Sequence, residues 1–113
     1  MENEKYWIHV DQLRYTQNTI NDQFKHSGAK LDDVVQQIKC NHMSVNDLPP
    51  MQVYEKDGRF YSCGNRRLYV CKSLRAEGRL NTVRVEYLGE HNQHLSNFTS
   101  KNDGQCVTVR KKI

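Results

Sequence analysis

Apolar and polar positions fall in short, distinct bursts along the chain, and each burst predicts an element. Lys5 to Val10 (Lys-Tyr-Trp-Ile-His-Val) is aromatic and β-branched, which predicts a strand. Arg14 to Lys30 then turns polar, and Asn18, Asn21, Asp22, Ser27 and Gly28 mark a long loop of the kind that often carries function. Leu31, Val34, Val35 and Ile38 follow at i, i+3, i+4 and i+7, which lays one apolar stripe on a helix from about residue 30 to 40. Asp32 and Asp33 occupy its first turn, where carboxylates suit the positive end of the helix dipole. Leu48-Pro49-Pro50 ends any helix and feeds an extended run, Met51 to Lys56. Asp57-Gly58 is a two-residue hairpin signal, so Arg59 to Cys63 returns as the paired strand.

A second helix is predicted from Asn65, read as its N-cap, to just before Gly78, read as the residue that ends it. Thr82 to Leu88 alternates as a strand, His91 to Gly104 is polar, and Cys106 to Arg110 reads as a last short strand. The sum is an α+β fold, a small mixed β-sheet packed with two main helices. At 113 residues the chain has room for one core, and the expectation is a single domain over 1–113. Its core would span about residues 6–88, with a C-terminal extension over 89–113.

Composition narrows the function classes. Lysine and arginine number 17 against 13 acids, a net charge of +4 that favours an anionic partner without proving one. No apolar run is long enough to cross a bilayer, so no membrane role is expected. Met1 to Lys5 lacks the apolar stretch of a signal peptide, so the protein is expected to be intracellular, cytoplasmic or nuclear. Cys40, Cys63, Cys71 and Cys106 have no CxxC spacing, and the expectation is reduced, mostly buried thiols with no metal site. Trp7 and the tyrosines do not recur at the spacing of an RNA-stacking sheet, and the five histidines are scattered without evident partners.

The most informative segment is Phe60-Tyr61-Ser62-Cys63-Gly64-Asn65-Arg66-Arg67-Leu68. A strand ends, a glycine permits close backbone approach, and a helix opens with two arginines in its first turn. Free N–H groups and the helix dipole already favour an anion there. Cations belong at the other end of a helix, so an anion in front of this one would reverse a local cost. At about 100° per residue, Val70, Cys71 and Leu74 define the buried face, and Arg67 points along its middle while Arg66 lies to the side. A guanidinium aimed that way needs a bound anion, a set of carbonyls or an internal acid such as Asp32, Asp33 or Glu55.

The order of these elements resembles the ParB/sulfiredoxin superfamily, in particular the ParB N-terminal-like domain. The matching pieces are Ile8-His9-Val10-Asp11-Gln12-Leu13, Leu31 to Ile38, Leu48-Pro49-Pro50-Met51-Gln52-Val53, Gly58 to Ser62, Gly64-Asn65-Arg66-Arg67 and Asn81-Thr82-Val83-Arg84-Val85. Arg14-Tyr15-Thr16, Asn65-Arg66-Arg67-Leu68 and Asn97-Phe98-Thr99 resemble a eukaryotic branch of uncharacterised ParB-like proteins. The resemblance implies that Gly64, Asn65, Arg66 and Arg67 contact the phosphates of a nucleotide, ATP or CTP with Mg2+. It implies weaker contacts from Arg14, Gln17 and Thr19 in the polar loop. It also raises an NTPase or phosphotransferase activity, for which Glu55 and Asp57 are the weak catalytic candidates, as metal ligand or general base. Asn65 stands where sulfiredoxins carry their reactive cysteine, which argues against thiol chemistry. The chain ends too early for the helix-turn-helix reader of partition proteins. Two other readings stay open: a ParB-like protein that binds nucleic-acid phosphates, with or without nuclease activity, and a non-catalytic protein-interaction module.

Overall fold

The computed structural model describes residues 4–25, 27–48, 50–90 and 99–110. Seven strands and two helices follow one another as β1 (Lys5–His9), β2 (Leu13–Tyr15), β3 (Thr19–Asn21), α1 (Leu31–Lys39), β4 (Met51–Lys56), β5 (Arg59–Ser62), α2 (Asn65–Ala76), β6 (Thr82–Glu90) and β7 (Thr108–Arg110). Five strands form a mixed sheet in the order β1-β6-β4-β5-β2, and β3 pairs with β7 in a separate two-stranded sheet. The α+β class is therefore as expected. None of the described helices is long and apolar enough to cross a membrane.

Local chemistry explains the elements that the chain's pattern predicts. The β4–β5 hairpin closes on Asp57 and Gly58, both at positive φ (54° and 76°), which is the geometry a two-residue turn requires. α2 ends in a Schellman arrangement. The Gly78 N–H donates to the Arg75 carbonyl and the Arg79 N–H to that of Leu74, both at 2.9 Å. α1 ends the same way, with Asn41 at positive φ in the glycine's place.

Several expectations are corrected. Residues 14–30 are not one loop: Leu13–Tyr15 adds to the main sheet beside β5, and Thr19–Asn21 pairs with the distant β7. Three-residue strands carry too few apolar positions for periodicity to register, and their partners lie far along the chain. α2 buries more than one face. Leu68 and Cys71 join the core beneath the five-stranded sheet, while Val70 and Leu74 join a second cluster with Ile20, Leu31, Val34 and Val35. α2 is thus a middle layer, and α1 packs on α2 rather than on the sheet.

Residues 99–110 are tied into the fold, since Val107 packs against both clusters. The Tyr15 N–H donates to the Gly104 carbonyl at 2.8 Å, and the Thr99 N–H to the Thr16 carbonyl at 2.8 Å. Gly104 has φ of 75°, and a Cβ there would lie 2.2 Å from the Tyr15 carbonyl oxygen, so only glycine fits. Asn97 and Phe98 lie outside the described residues. All four cysteines are free, but only Cys71 is buried; Cys40, Cys63 and Cys106 are exposed.

Candidate functional site

The N-terminal turn of α2 is built around one buried amide. Gly64, not Asn65, is the residue at the cap position, and it makes no side-chain cap. Asn65 is the first helical residue, and its side chain turns back into the protein. Its Oδ1 accepts the backbone N–H of Thr16 at 2.8 Å and of Gln17 at 3.3 Å. Its Nδ2 donates to Thr16 Oγ1 at 2.8 Å, and that hydroxyl donates to the Ser62 carbonyl at 3.0 Å. Asn65, Thr16 and Ser62 are all buried, so this clasp ties the end of β5, the exit of β2 and the start of α2 together. Asn65 therefore fixes where the helix begins, instead of capping it.

Gly64 is held by Ser62, whose Oγ accepts its N–H at 3.0 Å. Its φ of −100° is open to any residue. A Cβ added there would meet Met51 Cγ at 3.6 Å and Arg67 Cδ at 3.7 Å, ordinary contacts. The fold itself does not demand glycine at this place.

Arg66 and Arg67 diverge from the first turn, and both are half-buried. Arg66 Nη1 donates weakly to the Gln23 carbonyl at 3.5 Å, and Arg67 Nη1 to the Pro50 carbonyl at 3.3 Å. Two of the acids considered as partners for Arg67 are engaged elsewhere: Asp32 accepts from the Tyr69 hydroxyl and Glu55 from that of Tyr87. Arg67 lines a small cleft of about 40 Å³, walled by Val45, Leu48, Pro50, Met51 and Cys71 and bordered by Arg84. Among the described residues no acid lines it. Burial pushes the Cys71 thiol up to about 12, and the neighbouring Arg67 pulls only weakly the other way. That sulfur is a packing group, not a nucleophile.

The other candidates are dispersed. Gln17 reaches the turn, though through its backbone N–H to Asn65. Arg14 donates instead to the Asp103 carbonyl at 2.9 Å, and Thr19 sits opposite Thr108 in the second sheet. Asp57 is the hairpin turn residue, and Glu55 pairs across from Phe60. Along the hairpin Glu55 stands about 7 Å from the level of Ser62, and Asp57, in the turn, more than about 10 Å from it. Among the described residues no three His, Cys, Asp or Glu side chains converge as a metal site.

Thr16 and the Pro50 carbonyl were not foreseen. A threonine in a polar stretch carries no signal of a partner 49 residues away, and a main-chain oxygen carries none at all.

Comparison with protein-family profiles, curated proteins and solved structures finds no match to this chain.

Proposed function

We propose that this protein binds a phosphate-bearing ligand, the phosphates of a nucleotide, at the Gly64–Arg67 turn. The observation that carries the reading is a first helical turn with two arginines and no acid, opening beside a cleft whose described lining includes both Arg67 and Arg84. Helix amides and the dipole add to the attraction for an anion. Charge-assisted hydrogen bonds from such groups are worth roughly 1.5–3 kcal/mol each.

The size of the cleft sharpens the proposal. About 40 Å³ accommodates roughly three water-sized groups, which suits a phosphoryl group and not a nucleoside. Affinity then follows phosphate charge and is indifferent to the base. The reading covers binding alone: Asp57 is taken up by the hairpin turn and Glu55 accepts the Tyr87 hydroxyl. Any Mg2+ would arrive with the nucleotide.

The test is thermal unfolding with ATP, CTP, GTP and pyrophosphate, each with and without Mg2+. At a ligand concentration one hundredfold above Kd, stabilisation amounts to about 2.7 kcal/mol. The expected result is a similar rise in Tm with all three nucleotides and none in Arg67→Ala. Melting temperatures that are the same with and without each ligand of the panel would overturn the proposal.

A further inference from the structure

The two edges of the main sheet are finished differently. At the β2 edge, the loop 99–104 supplies main-chain bonds: Tyr15 donates to Gly104, and Thr99 and Ser100 donate to the Thr16 carbonyl. At the β1 edge no backbone bond reaches the outer side among the described residues. The Tyr87 N–H donates to the Glu4 carbonyl and the Val10 N–H to that of Asn81. With Lys5 opposite Glu86 and His9 opposite Thr82, those bonds turn the backbone of Tyr6 and Ile8 toward β6. The N–H and C=O groups of Lys5, Trp7 and His9 therefore point outward.

This open edge also carries the most exposed large apolar side chains of the sheet. Trp7 is 65% exposed and Tyr6 47%, on opposite faces of the strand. Natural edge strands are often blunted by proline, a bulge or a covering loop, and none of these meets β1 among the described residues.

We infer that β1 pairs antiparallel with β1 of a second copy, about a two-fold axis through Trp7. That register places Lys5 opposite His9 of the other copy and Trp7 opposite Trp7. It satisfies every outward backbone group of the strand with about six hydrogen bonds. Tyr6 then packs beside Ile8 across the axis. No acid faces an acid and no lysine faces a lysine; Lys5 meets His9, whose Nδ1 lies 3.6 Å from the Asp11 carboxylate that Arg75 also holds. A five-residue strand buries less than the ~1,200–2,000 Å² of a stable complex, so the association is reversible and concentration-dependent. A second copy is favoured over an unrelated strand because one sequence meets both sides of the pairing without a like-charge clash.

Trp7 is the sole tryptophan, so its emission reports on the interface directly. The test is sedimentation of the whole chain over a roughly hundredfold concentration range, with emission recorded on the same samples. The expected result is a mass rising from 13.3 kDa toward twice that value, with emission moving to shorter wavelength in step. Trp7→Glu should remain monomeric with an unchanged melting temperature. As a second readout, chains carrying Lys5→Cys and His9→Cys, with Cys40, Cys63 and Cys106 replaced by serine, should cross-link on mixing. Their Cα atoms would be about 5.5 Å apart in that register, inside the range of a disulfide. A mass of 13.3 kDa throughout, a dimer indifferent to Trp7→Glu, or an unshifted emission on association would each overturn the inference.

Discussion

α1 opens with Asp32 and Asp33 and closes with Lys39, whereas α2 opens with Arg66 and Arg67 and has no acid in its first turn. Each well-placed charge at a helix end contributes about 0.3–1 kcal/mol, and each misplaced one costs as much. α1 is therefore electrostatically complete within the chain. α2 carries its cations at the end that repels them, where Arg66 reaches the Gln23 carbonyl and Arg67 the Pro50 carbonyl. Their first residues differ in the same sense. Leu31 anchors α1 by apolar burial, while Asn65 anchors α2 by a buried amide shared with Thr16 and Gln17. One helix start places two acids at the positive end of its dipole; the other is anchored by a buried amide and places two cations there.

The contrast can be broken most severely at the anchors. Asn65→Ala leaves the Thr16 and Gln17 N–H groups without their acceptor and should cost about 2–4 kcal/mol in urea unfolding. Leu31→Ala should cost a similar amount through its cavity, so a loss under ~1 kcal/mol at Asn65 alone would show that the clasp is not an anchor.

Alkaline pH distinguishes the two helices next. Burial holds the Cys71 thiol protonated up to about 12 in the fold, while the unfolded chain releases that proton near 9. The folded state then binds more protons than the unfolded one, so this contribution is intact below pH 9 and is lost as pH rises toward 12. At pH 11 wild type should have lost about 2 kcal/mol more stability, relative to pH 8, than Cys71→Ala has. Parallel pH profiles for the two proteins would contradict this.

Smaller effects test the charge layouts themselves. Asp33→Asn should destabilise by about 0.3–1 kcal/mol, whereas Arg66→Gln should be neutral or stabilising by a few tenths. The opposite signs, read from unfolding midpoints in the absence of ligand, matter more than their size. Gly64→Ala should change stability by less than ~1 kcal/mol yet weaken anion-dependent stabilisation, because its Cβ would stand against the Arg67 side chain at 3.7 Å.

How much of this was legible in the sequence follows from locality. The hairpin at Asp57-Gly58, the apolar stripe of α1 and the Gly78 stop are written in neighbouring residues, and each is found where the pattern places it. β2 and β3 were hidden because Leu13, Tyr15 and Ile20 are single apolar signals whose partners lie in β5, the 99–104 loop and β7. The two-sided burial of α2 was hidden for a related reason: a helix used as a middle layer has no single stripe. The glycines show the same limit. Gly64 drew attention through its neighbours yet is conformationally dispensable, whereas Gly104, in an unremarkable polar stretch, is the one the packing requires.

The anion affinity proposed for the first turn of α2 is tested most directly by titrating labelled protein with pyrophosphate and following backbone amide shifts by NMR. The account predicts saturable shifts at Gly64 to Arg67, none at the corresponding first turn of α1, and loss of the response in Arg67→Ala. No shift at Gly64 to Arg67, or shifts of equal size at Leu31 to Val34, would contradict it.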